Sequence, residues 1–142
     1  MPAQASDVDG ALDPLRLEAG CRKLLEALSP AAVLLFGSHA GGRPTADSDI
    51  DLAVLLGAPD PEPDRLAAIR IDLEHILGAP VDLVILDRAS PILVMEILRC
   101  HRVLAAPDAE ALESLIVRTL TDYADLKIVR RPIEEALLAP RK

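Results

Sequence analysis

Aromatic residues are almost missing from this sequence: 142 residues include one Phe, one Tyr and no Trp. The core must therefore be built from Leu, Ile, Val and Ala, each larger side chain contributing roughly 1.5–3 kcal/mol when buried. Cysteine is equally scarce. Cys21 and Cys100 lie far apart, each within an apolar helical pattern, so both are expected as small buried residues, and neither a disulfide nor a thiol nucleophile is expected. His39, His75 and His101 have no metal-ligand spacing among themselves or with the cysteines, which argues against zinc, iron or haem. Positive charge is also short, with 15 Lys and Arg against 23 Asp and Glu and a net charge of −8. A broad, sequence-independent grip on nucleic acid needs an excess of cations, so no direct nucleic-acid partner is expected. No apolar run approaches the ~20 residues that span a bilayer, and the start, Met1 to Asp13, is polar without a signal-peptide pattern. The expected location is the cytoplasm.

What is present fits one compact domain of 142 residues. Residues 1–12 lack periodicity and read as a flexible arm, leaving a single domain over residues 13–142. Leu17, Cys21, Leu24, Leu25 and Leu28 recur at helical spacing up to Ser29-Pro30. Ala32-Phe36 and Ile50-Leu56 read as buried strands ending at glycines, and Val81-Leu86 as a third. Between the last two, Leu66, Ile69, Leu73, Ile76 and Leu77 line a helix that Gly78 can end. Ser90-Pro91 opens a helix reaching about Cys100, and Val103-Leu104 suggests a short edge strand. From Asp108 to about Arg131 a further helix places Leu112, Leu115, Ile116, Leu120, Tyr123 and Leu126 on its apolar face, and Pro132 should end or kink it. The fold class is α/β, a small mixed sheet backed by helices with a C-terminal helix alongside. Phe36 and Tyr123 are assigned to the core.

The chemistry concentrates between the first two strands. Asp49 and Asp51 are two apart, so in an extended chain both carboxylates project from one face. Neighbouring carboxylates repel unless a cation neutralises them, and hard oxygen ligands suit Mg²⁺. Gly37 lets backbone approach a bulky ligand, and Ser38 offers a hydroxyl and an amide, together suited to a terminal phosphate. Asp82 opens the third strand; if that strand lies beside the second, its carboxylate completes a metal-binding, proton-accepting triad. Otherwise Asp82 is a carboxylate at a solvent edge. Arg43 is a candidate for phosphate through its planar guanidinium. His39 is read as an exposed loop residue, Asp47 and Ser48 as turn formers, and Arg130, Arg131, Arg141 and Lys142 as solvated charges.

Gly37-Ser38, ten intervening residues and then Asp49-Ile50-Asp51 resemble the signature of the nucleotidyltransferase superfamily related to DNA polymerase beta. With Val81-Asp82-Leu83-Val84 and the short chain, residues 13–135 resemble the minimal nucleotidyltransferase (MNT) antitoxins. The resemblance implies a nucleotidyltransferase fold in which Asp49 and Asp51 coordinate Mg²⁺, Asp82 activates the incoming hydroxyl, and Gly37-Ser38 hold the triphosphate of ATP. It also implies transfer of AMP to a hydroxyl, a tyrosine, of a cognate HEPN-domain ribonuclease toxin, with which the chain would form a hetero-oligomer. Similar proteins often carry arginine where this chain has Gly41, which leaves Arg43 as the nearest substitute. Two rivals remain at this level: an antitoxin that blocks its toxin by contact alone, which the acidic balance permits, and a nucleotidyltransferase acting on a small molecule, for which little chain remains to build a second substrate site.

Overall fold

The structure, a computed structural model, describes residues 12–42 and 49–138, apart from the side chains of 126–138. The arm expected over residues 1–12 therefore lies, but for Leu12, outside the described residues, as do Arg43, Asp47, Ser48, Arg141 and Lys142. Helix α1 (Pro14–Leu28) begins at Asp13, whose carboxylate accepts the Leu15 N–H at 2.9 Å, and has proline at its first position, where a missing N–H costs nothing. It ends at Ser29, which takes a left-handed conformation (φ 47°). Strand β1 (Ala32–Phe36) follows, then β2 (Ile50–Leu55), α2 (Pro63–Leu77), β3 (Val81–Ile85), α3 (Pro91–Arg99), β4 (His101–Ala105) and α4 (Ala109–Leu138). As the sequence indicates, Gly78 (φ 75°) ends α2, and the Ser90 hydroxyl caps α3 by accepting the Leu93 N–H at 3.2 Å.

The sheet order is β3-β2-β1-β4, with β2 and β3 parallel and the other pairs antiparallel. β1 and β2 are central, so both faces of each are covered, which is why they read as nearly unbroken apolar runs. On one face Val33, Leu35, Leu52 and Val54 pack with Leu24 of α1 and Leu73 of α2. On the other, Leu34, Ala53 and Leu55 pack with Val94 and Ile97 of α3 and Leu115 of α4. The first face is sealed by a close helix pairing, where a side chain on Gly20 would meet Leu77 at 3.2 Å.

Several expectations are corrected. β4 spans His101–Ala105 and is a full edge strand. Of the two outcomes expected at Pro132, an end or a kink, the end does not occur: α4 continues through it to Leu138, the proline forfeiting one backbone bond within a helix that is established on both sides. Leu120 is 53% exposed because the core-facing stripe of α4 runs through Leu112, Leu115 and Thr119, a third of a turn away. Cys21 is buried but Cys100 is exposed, since it follows the last turn of α3 rather than lying inside it. Tyr123 is half-buried, its hydroxyl 3.4 Å from the Arg99 guanidinium, and Phe36 is half-buried at the end of β1. Among the described residues no helix is long and apolar enough to cross a membrane.

Candidate active site

β1 delivers the chain to Gly37, where it turns into a single 3₁₀ turn over Gly37–His39. The Gly37 carbonyl accepts the N–H groups of Ala40 and Gly41, both at 3.1 Å, which closes the turn. Gly37 has φ +76°, and a Cβ there would stand 2.2 Å from Oδ2 of Asp51. Left-handed backbone and this contact both demand glycine. Backbone and carboxylate are thus pressed together at the end of the strand pair, with Ser38 next in the turn.

Register does the rest. Asp51 pairs with Phe36 across the antiparallel β1–β2 ladder and with Asp82 across the parallel β2–β3 ladder, while Phe36 also pairs with His101 of β4. Residues in register share a face, so Asp82, Asp51, Phe36 and His101 form one row across the sheet, on the face that α3 and α4 cover further along. The expectation that the third strand lies beside the second holds, and the two carboxylates are neighbours. Asp82 is exposed because β3 is the sheet's outer strand; Asp49 is exposed just ahead of β2.

Burial holds the Asp51 carboxyl above the usual carboxylate range, and the charges of Asp82 and Asp49 push it the same way; the nearby His39 pulls against them. This mutual pressure is what a hard divalent cation relieves, and the donor set, carboxylate oxygens alone, is the kind that suits Mg²⁺. Among the described residues no three such side chains already converge into a metal site.

His39 is half-buried in the turn rather than exposed, because the turn folds back over the sheet end towards Asp51. Cys100, which sequence reading sent to the core, instead stands at the turn. Its Sγ lies 4.0 Å from the Gly37 carbonyl oxygen, and a Cβ on Gly41 would come within 3.0 Å of that sulfur. Position 41 thus has little room for a side chain unless Cys100 yields. No local pattern signals this contact. Phe36, assigned to the core from the sequence, instead borders the site, and its place directly ahead of Gly37-Ser38 is the local signal of this.

Residues 21–110 match the family described as polymerase beta, nucleotidyltransferase. Among solved structures, a chain from a crystal structure of a toxin–antitoxin pair with AMP-PNP is 30% identical, with a TM-score of 0.74 over 86% of this chain and 98% of that one. A chain from a complex of tri-AMPylated Shewanella oneidensis HEPN toxin with MNT antitoxin is 25% identical, with a TM-score of 0.72 over 88% and 98%. A chain from an MntA–HepT toxin–antitoxin structure is 28% identical, with a TM-score of 0.68 over 88% and 98%. No curated relative matches the chain.

Proposed function

This chain belongs to the polymerase beta nucleotidyltransferase family, and from that premise we propose that it is an antitoxin that transfers AMP from ATP to a hydroxyl, a tyrosine, of a cognate HEPN-domain toxin. The observation that carries the reading is the juxtaposition of Gly37 with Asp51 and of Asp51 with Asp82 in one sheet row. The solved relatives support the choice of partner and nucleotide: one is a complex with a tri-AMPylated HEPN toxin, another contains AMP-PNP.

In this reading Asp49, Asp51 and Asp82 would hold Mg²⁺, which supplies charge neutralisation at the attacked α-phosphate and at departing pyrophosphate. Gly37 and Ser38 bring backbone and hydroxyl donors to the phosphates, the glycine because any side chain there would fill the space beside Asp51. Arg43 is a further phosphate contact on this proposal. Asp82, at the open edge of the row, accepts the proton of the incoming hydroxyl; the hydroxyl oxygen bonds to the α-phosphorus as the bond to the pyrophosphate oxygen breaks. An exposed edge suits an acceptor that arrives on another protein, which must reach the carboxylate from outside.

The test is mass spectrometry of the HEPN protein after incubation with this chain, ATP and Mg²⁺. The wild type is expected to add the mass of one or more adenylyl groups, and Asp82→Asn none, while both still bind the partner. Neutralisation of the toxin by Asp82→Asn to the wild-type extent, with no added mass, would replace transfer by inhibition through contact.

A further inference from the structure

β3 is the outer strand beside β2, so one side of its backbone has no strand partner. Ile50 donates its N–H to the Pro80 carbonyl at 2.9 Å, and the register pairs Ile50 with Val81. In a parallel ladder of that register the groups of residues 80 and 82 face β2, and the Val81 N–H points the opposite way, off the open edge. Val81 is buried, and a buried N–H lacking an acceptor is costly. Glu74, on the last turn of α2, takes it: Oε2 accepts the Val81 N–H at 3.0 Å. The same oxygen lies 3.3 Å from Arg70. The Glu74 backbone carbonyl also accepts the Gly78 N–H at 2.8 Å, closing the helix just before the short connection into β3. One residue therefore ties both ends of the link that leads to Asp82.

We infer that Glu74 is a positioning residue for Asp82: by holding the Val81 amide it sets the level at which β3 joins the sheet, and so keeps the Asp82 carboxylate opposite Asp51. The inference rests on the reading of Asp82 as proton acceptor. It matters because two carboxylates in register repel, and the one on the outer strand is the one free to swing away. A slip of one residue would turn Asp82 to the other face of the sheet. Glu74 opposes both movements without touching substrate.

The test uses the full chain with a cognate HEPN protein, Mg²⁺ and varied ATP. Glu74→Ala is expected to lower kcat roughly tenfold or more while KM for ATP stays within about twofold, because positioning is lost and nucleotide binding is not. Glu74→Gln keeps an acceptor at the same reach and restores kcat. Glu74→Asp keeps the charge but falls short of Val81, and behaves as Glu74→Ala; Arg70→Ala is silent. Hydrogen exchange at the Val81 amide follows the same order, slow in wild type and Glu74→Gln, fast in Glu74→Asp. Should Glu74→Ala not fold by circular dichroism, Glu74→Asp carries the comparison. Rescue by Asp rather than Gln would mean that the Arg70 ion pair matters and the amide does not, overturning the inference. So would an unchanged kcat in Glu74→Ala when Asp82→Asn is inactive. If Asp82→Asn itself transfers at the wild-type rate, the reading of Asp82 fails first and this inference falls with it.

Discussion

Asp51 and Asp87 sit at opposite ends of the same sheet, each beside a left-handed glycine that follows a central strand, yet their surroundings differ in kind. Asp87 accepts the N–H groups of Leu56 and Gly57 at 2.7 and 2.8 Å, and a Cβ on Gly57 (φ +67°) would meet nothing within 4 Å. Asp51 is pressed against Gly37, and burial, with the charges of Asp82 and Asp49 acting the same way, raises its pKa. The first carboxylate completes a turn and adds stability. The second is held where its charge is disfavoured. Functional sites are where carboxylates with such perturbed ionisation tend to cluster.

The comparison breaks most sharply at the two glycines. Gly37→Ala should reduce AMP transfer by at least about 100-fold, since displacing Asp51 by an ångström or more is enough for that loss; the rate of adenylyl incorporation into the partner checks it. Gly57→Ala should leave that rate unchanged and cost only the backbone strain of a left-handed alanine, about 1–2 kcal/mol, read as a lower midpoint in urea. Equal losses of activity from the two substitutions would erase the distinction.

At the carboxylates the roles reverse. Asp87→Ala leaves two amides without their acceptor and should destabilise the fold by about 1–3 kcal/mol, while calorimetry finds the affinity for Mg²⁺-ATP preserved. Asp51→Asn should do the opposite, abolishing that affinity and slightly stabilising the metal-free protein. The sign follows from the raised pKa: a carboxyl that holds its proton more tightly when folded loses stability as pH rises from the ordinary carboxylate range through its own raised value. Above that window the deficit is constant, and the Asn variant lacks it. Solvent screening keeps the effect small, and it is read as a slight rise in Tm at pH 7. The rise should fade as the pH falls well below the ordinary carboxylate range, where the carboxyl is protonated in both states.

Much of this was legible in the residues. Ser90-Pro91 and Gly78 marked helix ends because capping and left-handed geometry are properties of single residues and their immediate neighbours. The apolar runs at Ala32–Phe36 and Ile50–Leu56 marked buried strands because both of their faces are covered, and the sheet order places both at its centre. What failed involved neighbours distant in the chain. Cys100 has an apolar helical pattern around it, but α3 ends one residue earlier and turns the thiol towards Gly37. Leu120 fits the period of α4, but the stripe that meets the sheet lies to one side of it.

By itself the sequence determined the pieces of the site: a glycine and a serine at the end of one strand, two carboxylates at alternate positions at the start of the next, and a third heading a later strand. These depend on covalent spacing, which places i and i+2 on one side of any extended chain. Only the tertiary structure decided that Asp82 stands opposite Asp51, that Phe36 and His101 continue their row, and that Asp87 accepts the Leu56 and Gly57 amides while burial and like charges raise the pKa of Asp51. Those relations follow from register, and register follows from burying two apolar faces at once and from finding a partner for every buried amide, conditions that no short stretch of residues can meet alone.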